Sequence, residues 1–272
     1  MKSKVAESLE LKYHPVALIW TDDVPEDVLS FREDNWGCVM SMFALAAKGK
    51  TVAFDRKTFG CIGGGVGLGF GNQYENWQGG IECFYHFLST GNEQWERGRE
   101  TAEKVKPYMR KESYENFLHG ERYLKSPELV KKFVDSLPII DIPTKFVMLR
   151  PLEDVDASDK QPEIVIFPVN PHQLSALIVL SSYARETADN VIAPFSAGCQ
   201  TIGIWAYKEA KRDKPRGVIG LTDLSARVYT SRTLDPNILT YAAPFKLFGE
   251  LEENVEGSFL ERHTWLKLKD MQ

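Results

Sequence analysis

The chain has 272 residues, of which 43% are hydrophobic and 26% are charged, and its formal net charge is −5. This balance is ordinary for a globular protein, and the lack of a basic cluster argues against a nucleic-acid partner. No apolar run reaches the ~18 residues of a membrane-spanning helix, and no secretory leader is recognisable. The sequence therefore predicts a cytoplasmic protein without a membrane partner.

The N-terminal part of the chain predicts two helices and two strands ahead of a glycine-rich segment. Helices are expected over 3–12 and 36–50, and strands over 15–20 and 51–55, because apolar residues recur there at helical spacing or in short compact runs.

The glycine-rich segment, residues 58–70, contains six glycines and Cys61. Neither of the common phosphate-binding glycine motifs fits it. Glycine alternates with larger residues from 65 to 71, which predicts a strand with one bare face. Either a flat cofactor or a neighbouring backbone would lie against that face. If it is a cofactor, the binding residues are Gly63, Gly64, Gly65 and Gly67.

Beyond this segment the sequence predicts a helical region and then alternating strands and helices. Segment 81–89 fits neither type clearly, and helices follow from 92 to 137, with Ser126 as a cap and Pro127 at a first helical position. Further strands are predicted over 145–149, 163–169 and 216–221, and further helices over 171–186, 199–211, 236–256 and 259–269. Segment 224–230 is predicted to be a short helix or a turn. Pro244 is expected to kink or split the helix 236–256.

This alternation indicates an α/β (mixed α+β) fold with a single mixed sheet flanked by helices. We expect a single domain, 1–272, with a helical excursion around 92–137.

The four cysteines are the main candidates for chemistry. Disulfides are rare in the cytoplasm, and Cys38, Cys61 and Cys199 each follow a glycine, which frees the backbone around a ligand. Together with Cys83 they are spaced 22 residues or more apart, whereas zinc sites usually have close pairs. We therefore predict an iron–sulfur cluster, of the 4Fe–4S type, bound by Cys38, Cys61, Cys83 and Cys199. Four unrelated core cysteines, or one reactive cysteine among them, remain the alternatives.

Other candidate groups are fewer. Cys61 or Cys199 with His86 is a candidate pair of nucleophile and base, and a helix start at Cys199 would lower the pKa of its thiol. Arg227 follows the strand 216–221, where α/β proteins often bind ligands, so it is a candidate to hold an anionic group. The alternative for Arg227 is a surface ion pair.

Several motifs occur in an order that resembles a known family. They include Gly60-Cys-Ile-Gly-Gly-Gly65, Ser196-Ala-Gly-Cys199, Ser225-Ala-Arg-Val-Tyr229 and Ala242-Ala-Pro-Phe-Lys246. In these the chain is similar to the uncharacterised bacterial and archaeal proteins of domain-of-unknown-function family 169. The resemblance spans nearly the whole chain and implies one domain-length unit, but no activity.

Our leading hypothesis is an iron–sulfur protein with a role in electron transfer or in redox chemistry on a small molecule. Its partner would be a small-molecule ligand or a redox partner, and a homodimer is left open. The alternatives are a non-redox module that binds a flat or anionic small molecule, and a cysteine-dependent enzyme.

Overall fold

A computed structural model describes residues 1–33, 35–156 and 160–271. The chain divides into two compact units, of which unit 1 comprises Met1–Gly71 and Ile140–Gln272 and unit 2 comprises Asn72–Ile139. Unit 2 is thus an insertion in the sequence of unit 1, and it contains the helical excursion predicted around 92–137. No described helix combines the length and the apolar character needed to cross a membrane.

The described residues of unit 1 form a mixed sheet, as predicted, and this sheet has seven strands. The strands are β1 Val16–Thr21, β2 Val52–Phe54, β3 Phe146–Pro151, β4 Ile164–Val169, β5 Val191–Ile192, β6 Gly217–Gly220 and β7 Leu239–Pro244. Their order across the sheet is β2-β3-β1-β4-β7-β6-β5. Neighbouring strands are antiparallel except β5 and β6, which pair in parallel from Val191 with Gly217. The carboxyl ends of β5 and β6 therefore lie at the same edge of the sheet.

The helices occur in both units. In chain order they are α1 Lys4–Leu9, α2 Val39–Ala46, α3 Ile62–Leu68, α4 Ile81–Leu88, α5 Glu96–Val105, α6 Lys111–His119, α7 Pro127–Ser136, α8 Pro171–Leu180, α9 Gly198–Ile202, α10 Ile204–Ala210, α11 Leu224–Thr230, α12 Phe245–Glu253 and α13 His263–Lys269. Short 3-10 turns lie at Gln73–Asn76, Lys106–Tyr108, Leu152–Asp154 and Phe259–Glu261.

The sheet of unit 1 is covered on both faces. Strand β4 shows this most clearly, because all six of its residues are buried. Val165 and Phe167 belong to a core that also contains side chains of α1, α8, α12 and α13. Alternation along the strand directs Ile164 and Ile166 to the opposite face, where α2, α9 and α10 pack on the sheet. This second face carries α2 and α9, and α3 packs on α9.

Two predicted elements of unit 1 are wrong in type. The predicted helix 236–256 is in fact strand β7 followed by α12, and Pro244 pairs with Ile164 at the end of the strand instead of kinking a helix. Proline is tolerated there because it leads into the first turn of α12. The bare-faced strand predicted over 65–71 is the second: residues 65–68 belong to helix α3, which ends at its C-cap Gly69.

Unit 2 is a small helical unit with its own core. Helices α4 to α7 belong to it, and segment 81–89, which the sequence left unassigned, is α4. Ser126 accepts a hydrogen bond from the backbone of Leu129, and Pro127 is the first residue of α7, so the predicted helix start is confirmed. The buried Asn92 side chain donates to the backbone carbonyls of Cys83 and Phe117.

Candidate functional site

Three of the four cysteines lie at helix starts of unit 1. Cys38 is the N-cap residue of α2, Cys61 is the N-cap residue of α3, and Cys199 is the second residue of α9. Cys38 and Cys61 are partly exposed and Cys199 is buried. All four cysteines of the chain are free thiols.

The glycine before each of these cysteines allows a close approach between chain segments. The ring of Phe31 lies against both Gly37 and Gly60, where side-chain carbons would clash with it. Gly60 has a φ of +78°, and a side chain there would also strike the carbonyl oxygen of Gly37. A side-chain carbon at Gly198 would lie 3.0 Å from Met40 and 3.1 Å from a carboxylate oxygen of Asp223. These glycines thus bring the segments of Cys38, Cys61 and Cys199 together.

Helix α3 packs directly against α9 through glycine. A side-chain carbon at Gly67 would lie 2.7 Å from the carbonyl carbon of Cys199, and one at Gly203 would collide with the carbonyl of Gly67. The thiol of Cys199 donates to the carbonyl of Gly63, with 3.3 Å between sulfur and oxygen. A neighbouring backbone, rather than a cofactor, therefore lies against Gly67, as one of the two sequence-based alternatives predicted. Gly67 belongs to a helix, however, and not to a strand.

The remaining glycines predicted to bind a cofactor surround Cys61. The N–H of Gly64 donates to the Cys61 sulfur at 3.2 Å, and the N–H of Gly65 donates to the Cys61 carbonyl at 3.0 Å. A side-chain carbon at Gly64 would lie 2.6 Å from Val39, next to Cys38. At Gly63 the same position has no neighbour within 4 Å, so space is open at the first turn of α3.

Burial is the main influence on the three thiols. It raises the pKa of Cys38 to about 12, and it raises the pKa of Cys61 and, most strongly, of Cys199. The thiols also affect one another, since a charge on Cys61 raises the pKa of both Cys38 and Cys199. The expectation of a lowered pKa at Cys199 is therefore wrong, because desolvation outweighs the effect of the helix start.

Backbone N–H groups act in the opposite direction and favour the thiolate forms. The pKa of Cys38 is lowered by the N–H groups of Met40 and Ser41, and that of Cys61 by those of Gly63 and Gly64. The N–H of Gln200 lowers the pKa of Cys199. Each sulfur thus has at least one backbone donor close to it. Such donors stabilise negative charge on sulfur when a metal displaces the thiol proton.

Asp223 is a further member of this group. It is the N-cap residue of α11, and its carboxylate accepts from the N–H of Gly198 at 2.9 Å and from the N–H of Ala226 at 3.3 Å. Burial raises the pKa of Asp223, and its charge raises the pKa of all three thiols. Asp223 follows β6 and Cys199 follows β5, so the parallel pair of strands places them at one edge of the sheet.

Arg227 makes contacts of a different kind from those predicted. Its guanidinium donates to the backbone carbonyls of Leu221 and Ile238, at 3.1 and 3.3 Å, and to that of Pro236. Leu221 has a φ of +57°, a strained value for a residue with a branched side chain. Arg227 thus holds the turn that leads to Asp223, and its role as an anion-binding residue stays a prediction that these contacts do not favour.

Cys83 belongs to unit 2 and lies in the core of that unit. Its side chain is fully buried with Ala102 and Phe117, and its sulfur is 4.0 Å from the hydroxyl of Thr101. His86, also in unit 2, stacks on Trp95 with 4.7 Å between ring centroids. The structure therefore packs the segments that carry Cys38, Cys61 and Cys199 against one another in unit 1, and it gives Cys83 the surroundings of a core residue.

The comparison with known proteins identifies the family. A sequence model of DUF169, described as uncharacterised ArCR, matches residues 4–254 of the chain. The chain belongs to the DUF169 family. No curated protein and no solved structure matches this DUF169 protein.

The site residues of this DUF169 protein all lie within the matched range. Among the residues that the structure describes, no group of three or more His, Cys, Asp or Glu side chains is arranged to hold a metal ion. The sequence prediction did not include Asp223 in the site. Its position directly after a strand and at a helix start was the available signal, but that pattern is common in α/β proteins with no ligand there.

Proposed function

We propose that this DUF169 protein binds an iron–sulfur cluster in unit 1 through Cys38, Cys61 and Cys199. The observation that supports this most is that the segments carrying these cysteines, which are distant in sequence, pack on one another at Gly60, Gly64 and Gly198. In addition, the N–H of Gly64 donates to the Cys61 sulfur at 3.2 Å. Cysteine thiolates are the usual ligands of iron–sulfur clusters, and hydrogen bonds to sulfur tune their potentials.

The electrostatics of the thiols favour a ligand role over a nucleophilic one. A nucleophilic cysteine needs a thiolate at neutral pH, whereas burial raises the pKa of all three thiols. A bound metal removes this obstacle, because its positive charge replaces the thiol proton. A cluster would also replace the hydrogen bond from Cys199 to Gly63.

The shape of α3 also suits a bulky inorganic group. The open space beside Gly63 lies in the same turn as the N–H of Gly64 that reaches the Cys61 sulfur. A larger side chain at position 63 would enter that space. Glycine at this position therefore keeps room next to the thiols.

We propose a redox role for this cluster, either in electron transfer or in the reduction or oxidation of a small molecule. This role is supported by the partial exposure of Cys38 and Cys61, which a redox partner or a small molecule could approach. The free thiols suit a reducing compartment, so we propose a cytoplasmic location.

Anaerobic reconstitution with ferrous iron and sulfide tests the proposal. We expect the wild-type protein to take up about four irons and four sulfides per chain and to absorb in the visible range. Cys199→Ala should abolish this uptake, whereas the matched control Cys83→Ala should take up as much as the wild type. A colourless wild-type protein without iron would refute the proposal, and circular dichroism of each apo variant would show that it is folded.

A further inference from the structure

We infer that unit 2 contains a binding site for a small organic phosphate. The site is a surface cavity of about 420 Å³, lined by Ser89, Thr90, Arg122, Leu124 and Lys125. Its volume lies in the range of cavities that hold small-molecule ligands. All five residues belong to unit 2, and none of them takes part in the iron–sulfur site proposed for unit 1.

The cavity lies where the end of α4 meets the loop that leads to α7. Three N–H groups of that loop, those of Glu121, Tyr123 and Leu124, donate to the last two carbonyls of α4 at distances of 2.8 to 3.3 Å. The hydroxyl of Ser89 donates to the carbonyl of Tyr85 at 2.7 Å. These bonds hold the loop on the helix and give the carbonyls partners, so the helix end presents fewer free acceptors to an anion.

Two cations of the cavity have no carboxylate partner. Arg122 and Lys125 are exposed, and the ion pairs between residues that the structure describes include neither of them. The Nε–H of Arg122 donates to the carbonyl of His119 at 3.3 Å, and no hydrogen bond within the described chain uses its terminal nitrogens. A guanidinium in this state can bind phosphate through two parallel hydrogen bonds, and the lysine adds a point charge.

The other side chains of the cavity suit a ligand with an organic part. Thr90 is exposed and offers a hydroxyl donor, whereas the Ser89 oxygen, whose proton goes to Tyr85, can accept from a ligand hydroxyl. Leu124 supplies an apolar wall. The cavity is larger than a phosphate group alone fills, so an organic group has room beside Leu124.

The backbone at Arg122 supports a binding role for this side chain. Arg122 has a φ of +58°, which is uncommon for a residue with a long side chain. Glycine would adopt this conformation without strain, as Gly120 does nearby with a φ of +78°. The chain thus carries a conformational cost at position 122 that glycine would avoid, and such costs are typical of binding sites.

Nuclear magnetic resonance of the backbone amides tests the site in the full chain. Inorganic phosphate and glycerol 3-phosphate are titrated in turn, with sodium chloride at equal ionic strength as the control for screening. The proteins are wild type, Arg122→Gly, Lys125→Gln and Lys132→Gln. Lys132 is an exposed cation of α7 that does not line the cavity, so Lys132→Gln is the matched loss of one charge.

We expect both phosphates to shift the amide signals of the cavity residues in wild type and in Lys132→Gln, with glycerol 3-phosphate binding more tightly. Arg122→Gly and Lys125→Gln should each weaken binding at least about tenfold, because each removes a charge-assisted hydrogen bond. Arg122→Gly should melt no lower than the wild type, because glycine suits a positive φ. Lys125→Gln, which leaves the backbone unchanged, keeps the test valid if Arg122→Gly folds poorly.

Three results would overturn the inference. They are cavity signals that neither phosphate shifts, shifts that chloride reproduces, and a loss of affinity in Lys132→Gln as large as in Lys125→Gln. Tighter binding of inorganic phosphate than of glycerol 3-phosphate would overturn the organic ligand and assign the cavity to the free anion.

Discussion

The contact between α3 and α9 makes a strong prediction about Gly67. In Gly67→Ala the new methyl group would lie 2.7 Å from the carbonyl carbon of Cys199, whereas ordinary contacts begin near 3.4 Å. The helix would have to move by the difference, about 0.7 Å, because the neighbouring atoms belong to backbone that cannot rotate away. Overpacking of this kind costs about 3 kcal/mol, at the upper end of the usual range.

Gly63→Ala is the matched control on the same helix. The new methyl group meets nothing within 4 Å, so only the conformational gain of alanine over glycine remains, up to about 1 kcal/mol. The same gain applies at Gly67 and cancels when the two variants are compared. We therefore expect Gly67→Ala to be less stable than Gly63→Ala by about 3 kcal/mol.

Thermal denaturation of the two apo variants, followed by circular dichroism, measures this difference. For a unit of this size it corresponds to a separation of about 6–12 °C between the two midpoints. Equal midpoints would show that the α3–α9 contact yields easily and would refute the tight packing inferred here. Gly67→Ala should also take up less cluster, because it moves Cys61 relative to Cys199.

Three further predictions concern other buried groups. Arg216→Leu should destabilise unit 1 by about 3 kcal/mol in chemical denaturation, because it removes the main partner of the fully buried Glu209 carboxylate. The Arg216 guanidinium donates to the two oxygens of that carboxylate at 2.8 and 3.0 Å. An unchanged denaturation midpoint would contradict this prediction. Burial raises the pKa of Glu163, so the ionised form of this side chain opposes folding at neutral pH. Glu163→Gln should therefore raise the melting temperature at pH 7, and the difference from wild type should vanish as the pH falls toward 4. A difference that persists at pH 4 would show that the charge of Glu163 is not its cause. Asn92→Ala should lower the stability of unit 2 by about 1–3 kcal/mol, since the backbone carbonyls of Cys83 and Phe117 each lose one hydrogen bond from this side chain. Hydrogen exchange of α4 and α6 should accelerate, and unchanged exchange would disprove the role given to this side chain.

The fold was largely predictable where the sequence carries local signals. The compact apolar run of β4 and the Ser126–Pro127 helix start are examples, and both were assigned correctly. Strand β7 was not, because its identity depends on pairing with β4 and β6, whose residues lie far away in the chain. Long-range pairing of this kind leaves little trace in local composition.

The glycine-rich segment shows a second limit of local patterns. Alternating glycine at 65, 67 and 69 resembles the period of a strand, but Gly63 and Gly67 are also four residues apart, as on one face of a helix. The contact of Gly67 with the backbone of Cys199 decides between the two, and it comes from a segment more than a hundred residues away. The glycines before the cysteines were visible in the sequence, whereas Asp223 became part of the site only through the hydrogen bond to Gly198.

The way in which the site is assembled implies that unit 1 folds without the cluster that we propose for it. The contacts that pack the cysteine segments together are those of neighbouring side chains and backbone with Gly60, Gly67 and Gly198, and the sheet pairing of β5 with β6. All of them are formed by the polypeptide itself. This differs from small zinc domains, in which the metal drives folding. We therefore expect the apo protein to show a helical circular dichroism spectrum and cooperative unfolding, and cluster binding to raise the midpoint of an already folded unit. An apo protein that is unfolded until iron and sulfide are added would show that these glycine contacts are too weak to form the site alone.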